Sequence, residues 1–207
     1  MFKIGKKGCK NIMEKAEKRG KRGGAALAVR VVLALLLAVI LVVVGYVVYL
    51  QANYYRIADH TALEVENNGE NTLKIGDTYT AVIYNIGFGA YGPDYSFFMD
   101  TGEMKDGTKT SGKYGKAMSL DSVETHTEGA AGVIKNLNAD FYLLQEVDVD
   151  ADRSYHVNQE DFIKAGMNGY ASVFANNFHS AYLFYPFNDP HGAVQAGLLS
   201  FSRYHIS

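Results

Sequence analysis

The sequence predicts a mixed α/β domain that follows a single transmembrane helix. Residues 79–86 and 141–146 have the composition of strands, and apolar residues between them recur at helical spacing. A strand, a helix and a second strand in this order are typical of layered α/β proteins. Residues 31–50, in contrast, contain no charged side chain, which is typical of a segment that crosses a membrane.

The N-terminal region consists of a basic tail and an apolar run. Residues 1–30 hold ten of the 20 Lys and Arg residues but only Glu14 and Glu17 among the acids. The run 31–50, as a helix with about 1.5 Å rise per residue, covers the roughly 30 Å hydrocarbon core of a bilayer. The basic residues before it predict a cytoplasmic N-terminus and an extracytoplasmic body at the cell membrane. We therefore divide the chain into a basic cytoplasmic tail, a transmembrane helix, an extracytoplasmic stem and a domain, at 1–24, 25–50, 51–76 and 77–207.

A cleaved signal peptide is the competing interpretation of the apolar run. Signal peptides usually have an apolar region of about 7–15 residues that ends in a small-x-small cleavage site. Here the run is longer, and only the weak match Leu50-Gln51-Ala52 follows it. We therefore favour an uncleaved anchor.

The charge balance of the body disfavours nucleic acid as a partner. Residues 31–207 hold the other ten basic residues and 20 of the 22 acidic ones. An acidic body is a poor general binder of nucleic acid, since nonspecific affinity for phosphates comes mainly from Lys and Arg. The balance suits metal binding better. Cys9 is the only cysteine, so an internal disulfide is excluded.

The first half of the domain is predicted to be a strand, loop, helix and strand. Residues 79–86 are rich in β-branched and aromatic side chains and run into Gly87-Phe88-Gly89, a turn that glycine permits. After the long polar connection 90–122, apolar residues lie on one helical face, at Ala130, Val133, Ile134 and Leu137. The strand Phe141–Glu146 starts with four residues that do not alternate with polar ones, so we expect both its faces to be covered.

The second half is predicted to hold a short helix at 161–167 and strands at 171–175, 181–185 and 197–203. Between the halves, the spacing of Asp148, Asp150 and Asp152 is that of the start of a calcium loop. The glycine and the terminal glutamate of an EF-hand are missing, so we reject that motif. His179 and His191 are interpreted as surface or second-shell histidines.

Two polar residues at strand ends are candidates for a site. Glu146 closes an apolar strand, where a carboxylate is costly to desolvate unless it is paired or binds a cation. Ligand sites in α/β folds gather at such strand ends. The alternative, a strand that simply reaches solvent at a polar residue, is favoured by this stretch alone. Asn85 near the end of the first strand either faces water or reaches into the same site.

Three segments together resemble the endonuclease/exonuclease/phosphatase superfamily, which has the deoxyribonuclease-I-like fold, over about residues 77–207. They are Tyr84-Asn85-Ile86-Gly87-Phe88-Gly89, Asp140-Phe141-Tyr142-Leu143-Leu144-Gln145-Glu146-Val147-Asp148 and Gly197-Leu198-Leu199-Ser200-Phe201-Ser202-Arg203-Tyr204. The resemblance is to membrane-anchored bacterial members. It implies the N-terminal half of a two-sheet sandwich flanked by helices, preceded here by the transmembrane helix.

The resemblance also implies a function and site residues. Glu146 would ligate a divalent cation, Mg²⁺ or Mn²⁺, and Asn85 would orient the phosphate or the nucleophile, which makes both catalytic. The family's base and remaining ligands come from an Asp-x-Asn strand end and a terminal Asp-His pair, which do not follow Arg203 here. The expected function is therefore a membrane-tethered, metal-dependent phosphoesterase, with the 207 residues alone incomplete and inactive.

The expected partners are a phosphoester and a lipid bilayer crossed by one helix. The substrate class stays open among nucleic acid, phospholipid head groups and inositol phosphates, and no stable protein partner is implied. A noncatalytic membrane-anchored surface or binding module with a degenerate fold is the alternative. In a third interpretation, the body is a structural ectodomain whose Glu146 merely ends a strand.

Overall fold

The computed structural model of the chain describes the backbone of residues 6–207 and the side chains of residues 14, 15 and 26–207. The helices are α1 (Lys6–Ala52), α2 (Leu120–Leu137) and α3 (Gln159–Lys164). The strands are β1 (Val65–Glu66), β2 (Ala81–Asn85), β3 (Thr101–Glu103), β4 (Lys109–Ser111), β5 (Phe141–Ala151), β6 (Ala171–Leu183) and β7 (Gly192–Ser202). Single 3-10 turns lie at Gly87–Gly89 and Asp152–Ser154. The chain divides into two compact units, Met1–Ala52 and Asn53–Ser207.

Helix α1 contains the predicted membrane span. Its segment Ala26–Ala52 has 27 residues, and an 18-residue window within that segment has a mean hydropathy of 3.3. By length and composition it can cross a membrane, since 27 residues of α-helix extend about 40 Å. The backbone of α1 also covers residues 6–24 of the predicted basic tail. Residues 1–5 of that tail, and most of its side chains, lie outside the described residues.

The second unit is built on one mixed sheet with the strand order β1-β6-β7-β5-β2. β2 and β5 are parallel, and the other neighbouring strands are antiparallel. A parallel pair needs a crossover connection, which α2 supplies. The mixed α/β class predicted from the strand, helix and strand order is therefore confirmed. β3 and β4 form a separate two-stranded hairpin within the long polar connection.

Helix α2 packs one side against the sheet and starts earlier than predicted. It begins after Ser119, whose side chain accepts a hydrogen bond from the Ser122 amide and forms a capping box. The buried residues recur at helical spacing, at Val123, Thr127, Ala130 and Ile134. The other two residues of the predicted apolar face, Val133 and Leu137, are 50% and 53% exposed. The buried side of α2 is therefore narrower at its C-terminal end than the sequence indicates.

The opposite side of the sheet is partly open to solvent. Ile83 is 73% exposed, Leu143 is 43% exposed and Leu198 is 39% exposed, on β2, β5 and β7. We call these three residues the open sheet face. The register pairs Ile83 with Leu143 and Leu143 with Ser200, two residues from Leu198, so all three project to the same side. The prediction that both faces of the Phe141 strand are covered is wrong, because Leu143 lies on this side.

The strands of the second half are longer than predicted. β6 is one strand rather than two pieces, with irregularities between Asn176 and Phe178 and between Ser180 and Leu183. Bulges absorb extra residues without ending the ladder, so the polar residues in mid-strand do not break it. Val65 and Glu66, in the predicted stem, pair with β6 as an edge strand, and Lys164 forms an ion pair with Glu66 at 2.5 Å.

Candidate functional site

Asn85 and Glu146 meet at the C-terminal end of the parallel pair β2 and β5. The register pairs Asn85 with Gln145, the residue before Glu146. The Asn85 side-chain amide donates a hydrogen bond to a Glu146 carboxylate oxygen at 2.9 Å. Parallel strands end at the same edge of a sheet, which brings polar side chains 61 positions apart in the chain into contact.

The backbone of Glu146 has an unusual conformation that directs its side chain. Its φ is 55°, in the left-handed region that costs a residue with a side chain roughly 1–2 kcal/mol. A bulge causes it, because β5 places Gln145 and Glu146 opposite the single residue Leu198 of β7. Bulges re-aim side chains, and strained backbone of this kind clusters at functional sites. The conformation turns Glu146 toward Asn85.

The side-chain oxygen of Asn85 stabilises the turn that follows β2. It accepts a hydrogen bond from the Gly87 amide at 2.8 Å. Gly87, Phe88 and Gly89 all have positive φ, at 56°, 43° and 68°. At Gly87 a side chain would also collide with the Tyr91 ring, 2.6 Å from the position of a Cβ atom. The glycines that the sequence marked as a turn thus let the chain fold tightly against Asn85.

A pocket of about 410 Å³ opens beside this pair, lined by Tyr84, Asn85, Ile86, Gly87, Tyr91 and Glu146. Tyr91 is 52% exposed, and its hydroxyl donates to an Asp100 carboxylate oxygen at 3.3 Å. Burial, followed by the nearby charge of Asp100, raises the pKa of Tyr91 to about 12. The phenol therefore stays a protonated hydrogen-bond donor at neutral pH. Sequence reasoning missed both residues, because they lie in the polar connection 90–122 with no motif around them.

A buried polar network lies behind the site. Asp148, with no exposed surface, accepts two hydrogen bonds from the Arg153 guanidinium, at 2.7 and 3.0 Å, and one from the Ser154 hydroxyl. The Asp148 amide donates to the Gln159 side chain, which in turn donates to Thr127 on α2. The network thus joins β5 to α2 and α3.

The same arginine supports the turn that follows Asn85. The Arg153 guanidinium lies 4.0 Å from the centre of the Phe88 ring, a cation–π contact. Phe88 is 1% exposed and is the central residue of the Gly87–Gly89 turn. The sequence analysis left Asp148 and Arg153 without a role. In the structure they connect β5, which carries Glu146, to the turn that follows Asn85.

A second polar group, Asp150, Asp152 and His156, lies apart from the pocket of Glu146. One ring nitrogen of His156 contacts an Asp150 carboxylate oxygen at 2.6 Å, and the other contacts Asp152 at 3.4 Å. The hydrogen bond with Asp150 raises the pKa of His156, and the charges of both acids act in the same direction. His179 lines the same small hollow of about 140 Å³. His191, interpreted as a surface or second-shell residue, is 3% exposed, and its ring contacts the Gly115 carbonyl.

His156 gives the domain a pH-dependent increment of stability. A raised pKa in the folded state means that the increment is complete below the unfolded value, near 6.5, and is lost as pH rises through the folded value. We expect His156→Gln to lower the stability at pH 5 by less than about 1 kcal/mol, since the ring is 61% exposed. The difference from wild type should shrink by pH 9. Urea midpoints at both pH values measure it, and a difference that grows with pH contradicts this account.

Glu146 gives the pocket one carboxylate that a divalent cation could use. Among the residues with described side chains, no group of three or more His, Cys, Asp or Glu is placed to hold a metal ion. Glu146 is the carboxylate that lines the pocket. Mg²⁺ is commonly bound through one or two carboxylates and keeps several waters, whereas structural zinc needs four protein ligands. The residues present therefore suit the first kind of ion.

Asn85 and Glu146 are thus brought together, and Tyr91 from the long connection lines the same pocket, with its hydroxyl hydrogen-bonded to Asp100. No known protein family, curated protein or solved structure matches the chain.

Proposed function

We propose that the chain is the N-terminal part of a membrane-tethered, extracytoplasmic phosphoesterase of the endonuclease/exonuclease/phosphatase superfamily, dependent on Mg²⁺ or Mn²⁺. The observation that carries the proposal is the 2.9 Å hydrogen bond from Asn85 to Glu146, at the point where the parallel pairing of β2 with β5 ends. An unrelated strand terminus needs neither this contact nor the left-handed backbone of Glu146. The substrate is a phosphoester whose class stays open.

The chemistry of the proposed reaction assigns roles to three residues of the pocket. Glu146 is a hard oxygen ligand of the kind that divalent cations take. A bound Mg²⁺ offsets the charge that develops on phosphoryl oxygens during hydrolysis. Asn85 holds the Glu146 carboxylate in place through its side-chain amide and is the residue that orients the phosphate. Tyr91, protonated at neutral pH, supplies a further hydrogen-bond donor at the rim.

The open sheet face supports the two-sheet part of the proposal. Ile83, Leu143 and Leu198 are apolar, exposed and adjacent, as on a surface that packs against a second sheet. In the proposed sandwich that second sheet also brings the missing base and metal ligands to the edge where Glu146 lies. The residues 1–207 then hold one half of the site.

The localisation is the remaining part of the proposal. The apolar segment Ala26–Ala52 crosses the cell membrane once and is not cleaved. Ten basic residues lie in the first 30, which favours a cytoplasmic N-terminus and an extracytoplasmic domain.

We expect Glu146→Gln to weaken Mn²⁺ binding by about 10-fold or more. An amide has nearly the size of the carboxylate but lacks the negative charge that a hard cation requires. Binding is measured on the 207-residue chain by the loss of the free Mn²⁺ electron paramagnetic resonance signal. The matched control is Glu128→Gln, at an exposed glutamate on α2, which should bind Mn²⁺ as wild type does. Equal binding by Glu146→Gln and wild type would show that the metal site is elsewhere.

A noncatalytic membrane-anchored binding module is the second candidate. The observation that favours it is the lack of any metal-holding group of three side chains among those described. The same titration separates the two functions, because a module of this kind has no reason to bind Mn²⁺ at Glu146. Mn²⁺ binding by the wild-type chain that is lost in Glu146→Gln would favour the phosphoesterase over the binding module.

A further inference from the structure

A cluster of exposed aromatic and thioether side chains projects from the body. Phe187 is 86% exposed, Met99 is 68% exposed and Tyr185 is 59% exposed. The rings of Phe98 and Tyr185 are 5.5 Å apart, and those of Tyr185 and Phe187 are 5.8 Å apart. We call the exposed Tyr185 and Phe187, the half-buried Phe98 and the exposed Met99 that follows it the aromatic patch. Single exposed apolar residues are ordinary on soluble proteins, but a contiguous group of this size marks an interaction surface.

The loop that carries the patch is held in place from beneath. The His191 amide donates to the Tyr185 carbonyl, and the Asp189 amide donates to the Pro186 carbonyl. The Asp189 carboxylate accepts from the Gly115 amide at 3.1 Å and lies 3.7 Å from the Lys116 ammonium. Phe187 is therefore exposed on a loop with fixed ends, so it is presented to a partner without a large ordering cost.

The patch lies at the end of the strand where the chain enters the body. Tyr55, the third residue of the unit that begins at Asn53, stacks on His179 of β6 with ring centres 4.5 Å apart. β6 continues from His179 to Leu183, and residues 185–187 of the patch follow directly. β6, on which Tyr55 stacks, thus leads to the segment that carries Tyr185 and Phe187.

We propose that the aromatic patch docks into the interfacial layer of the bilayer that α1 spans. This rests on the membrane anchoring of the proposed function. Tyr is favoured at the level of the lipid head groups, where one end of its ring is apolar and the other is wet. Phe side chains enter the same boundary from interfacial segments. The tether keeps the patch at a high effective concentration near the membrane, so weak docking suffices.

The occupant of the patch is lipid rather than a second sheet or a protein chain. The open sheet face is flat and aliphatic, as expected for packing against protein, whereas the patch is aromatic and projects from a loop. The adjoining hairpin β3–β4 carries Lys105 and Lys109 but also Glu103 and Asp106. Since these charges balance, the docking depends on the rings, and zwitterionic phosphatidylcholine is sufficient.

The chain contains no tryptophan, so one introduced tryptophan reports its own surroundings. The test uses the full chain with Phe187→Trp in phosphatidylcholine vesicles whose acyl chains are either brominated or not. We expect a blue-shifted emission that is roughly two-fold weaker in brominated vesicles, because bromine quenches a ring at interfacial depth. Emission at the wavelength of water-exposed tryptophan, with no loss in brominated vesicles, would overturn the proposal. Phe187 is 86% exposed, so the substitution is compatible with the fold.

Two further variants test whether α1 is inserted and whether quenching is specific to the aromatic patch. Leu41→Trp lies in the middle of the apolar segment and should be quenched strongly if that segment is inserted. Phe162→Trp lies on α3 at a residue that is 44% exposed, and it should not be quenched. Quenching of Leu41→Trp without quenching of Phe187→Trp overturns the docking alone, while loss of both overturns the anchor as well. Equal quenching of Phe162→Trp and Phe187→Trp overturns a specific patch and indicates nonspecific adhesion.

Discussion

Replacing Arg153 with alanine is expected to lower the free energy of unfolding by about 3–5 kcal/mol, because the Asp148 charge then remains buried without a partner. Asp148 has no exposed surface, and Arg153 is 7% exposed. The guanidinium supplies two of the hydrogen bonds to this carboxylate and covers the Phe88 ring. Urea denaturation followed by far-ultraviolet circular dichroism measures the change.

A matched control is available on the surface. Arg56 and Asp59 form an ion pair at 3.1 Å with side chains that are 71% and 75% exposed. Arg56→Ala should cost less than about 1 kcal/mol, because water solvates both partners and screens the attraction. Similar losses from Arg56→Ala and Arg153→Ala would contradict the burial that the structure gives to Asp148.

The variant Arg153→Lys separates charge from geometry. Lysine keeps the positive charge, but it cannot reproduce the two parallel hydrogen bonds or the planar stacking on Phe88. We expect its stability to lie between those of wild type and Arg153→Ala. The Gly87 amide of the same turn donates a hydrogen bond to the Asn85 side-chain oxygen. Loosening of this turn should therefore also weaken Mn²⁺ binding at Glu146.

Gly89→Ala is expected to destabilise the domain by about 2–4 kcal/mol, through backbone strain and overpacking together. Gly89 has a φ of 68°, which a side chain disfavours. Its Cβ atom would also lie 2.8 Å from the Gln159 amide nitrogen, 3.0 Å from the Thr127 hydroxyl and 3.0 Å from the backbone oxygen of Val123. The backbone atom cannot rotate away, and the other two belong to the buried network.

Gly169→Ala is the matched control for the strain alone. Gly169 has a φ of 84°, and nothing lies within 4 Å of the position of its Cβ atom. We expect it to cost about 1–2 kcal/mol, the price of the left-handed conformation without any collision. Thermal or urea unfolding of the two variants therefore isolates the packing contribution at Gly89. Equal losses would show that the turn has room for a side chain.

The sequence by itself determined the features that depend on local composition and spacing. An uncharged run of 20 residues predicts a membrane-spanning helix at any position in a fold, because its length alone matches the bilayer. The strands around Val82 and Leu144 and the helix between them followed from residue type and period. Two strands joined by a helix are expected to be parallel, with their C-terminal parts at the same edge of the sheet. The contact of Asn85 with Glu146 could therefore also be predicted from the sequence.

Only the tertiary structure decided how far β5 extends and which of its faces is covered. A strand through Asp148 and Asp150 is unfavourable on local grounds, yet Arg153 neutralises the first acid five residues later in the chain. The exposure of Leu143 depends on which residues pack over the sheet. The residues next to Leu143 in the sequence do not determine this. Tyr91 reaches the pocket from a long connection without periodicity, because its position follows from the turn at Gly87–Gly89 and not from a local pattern.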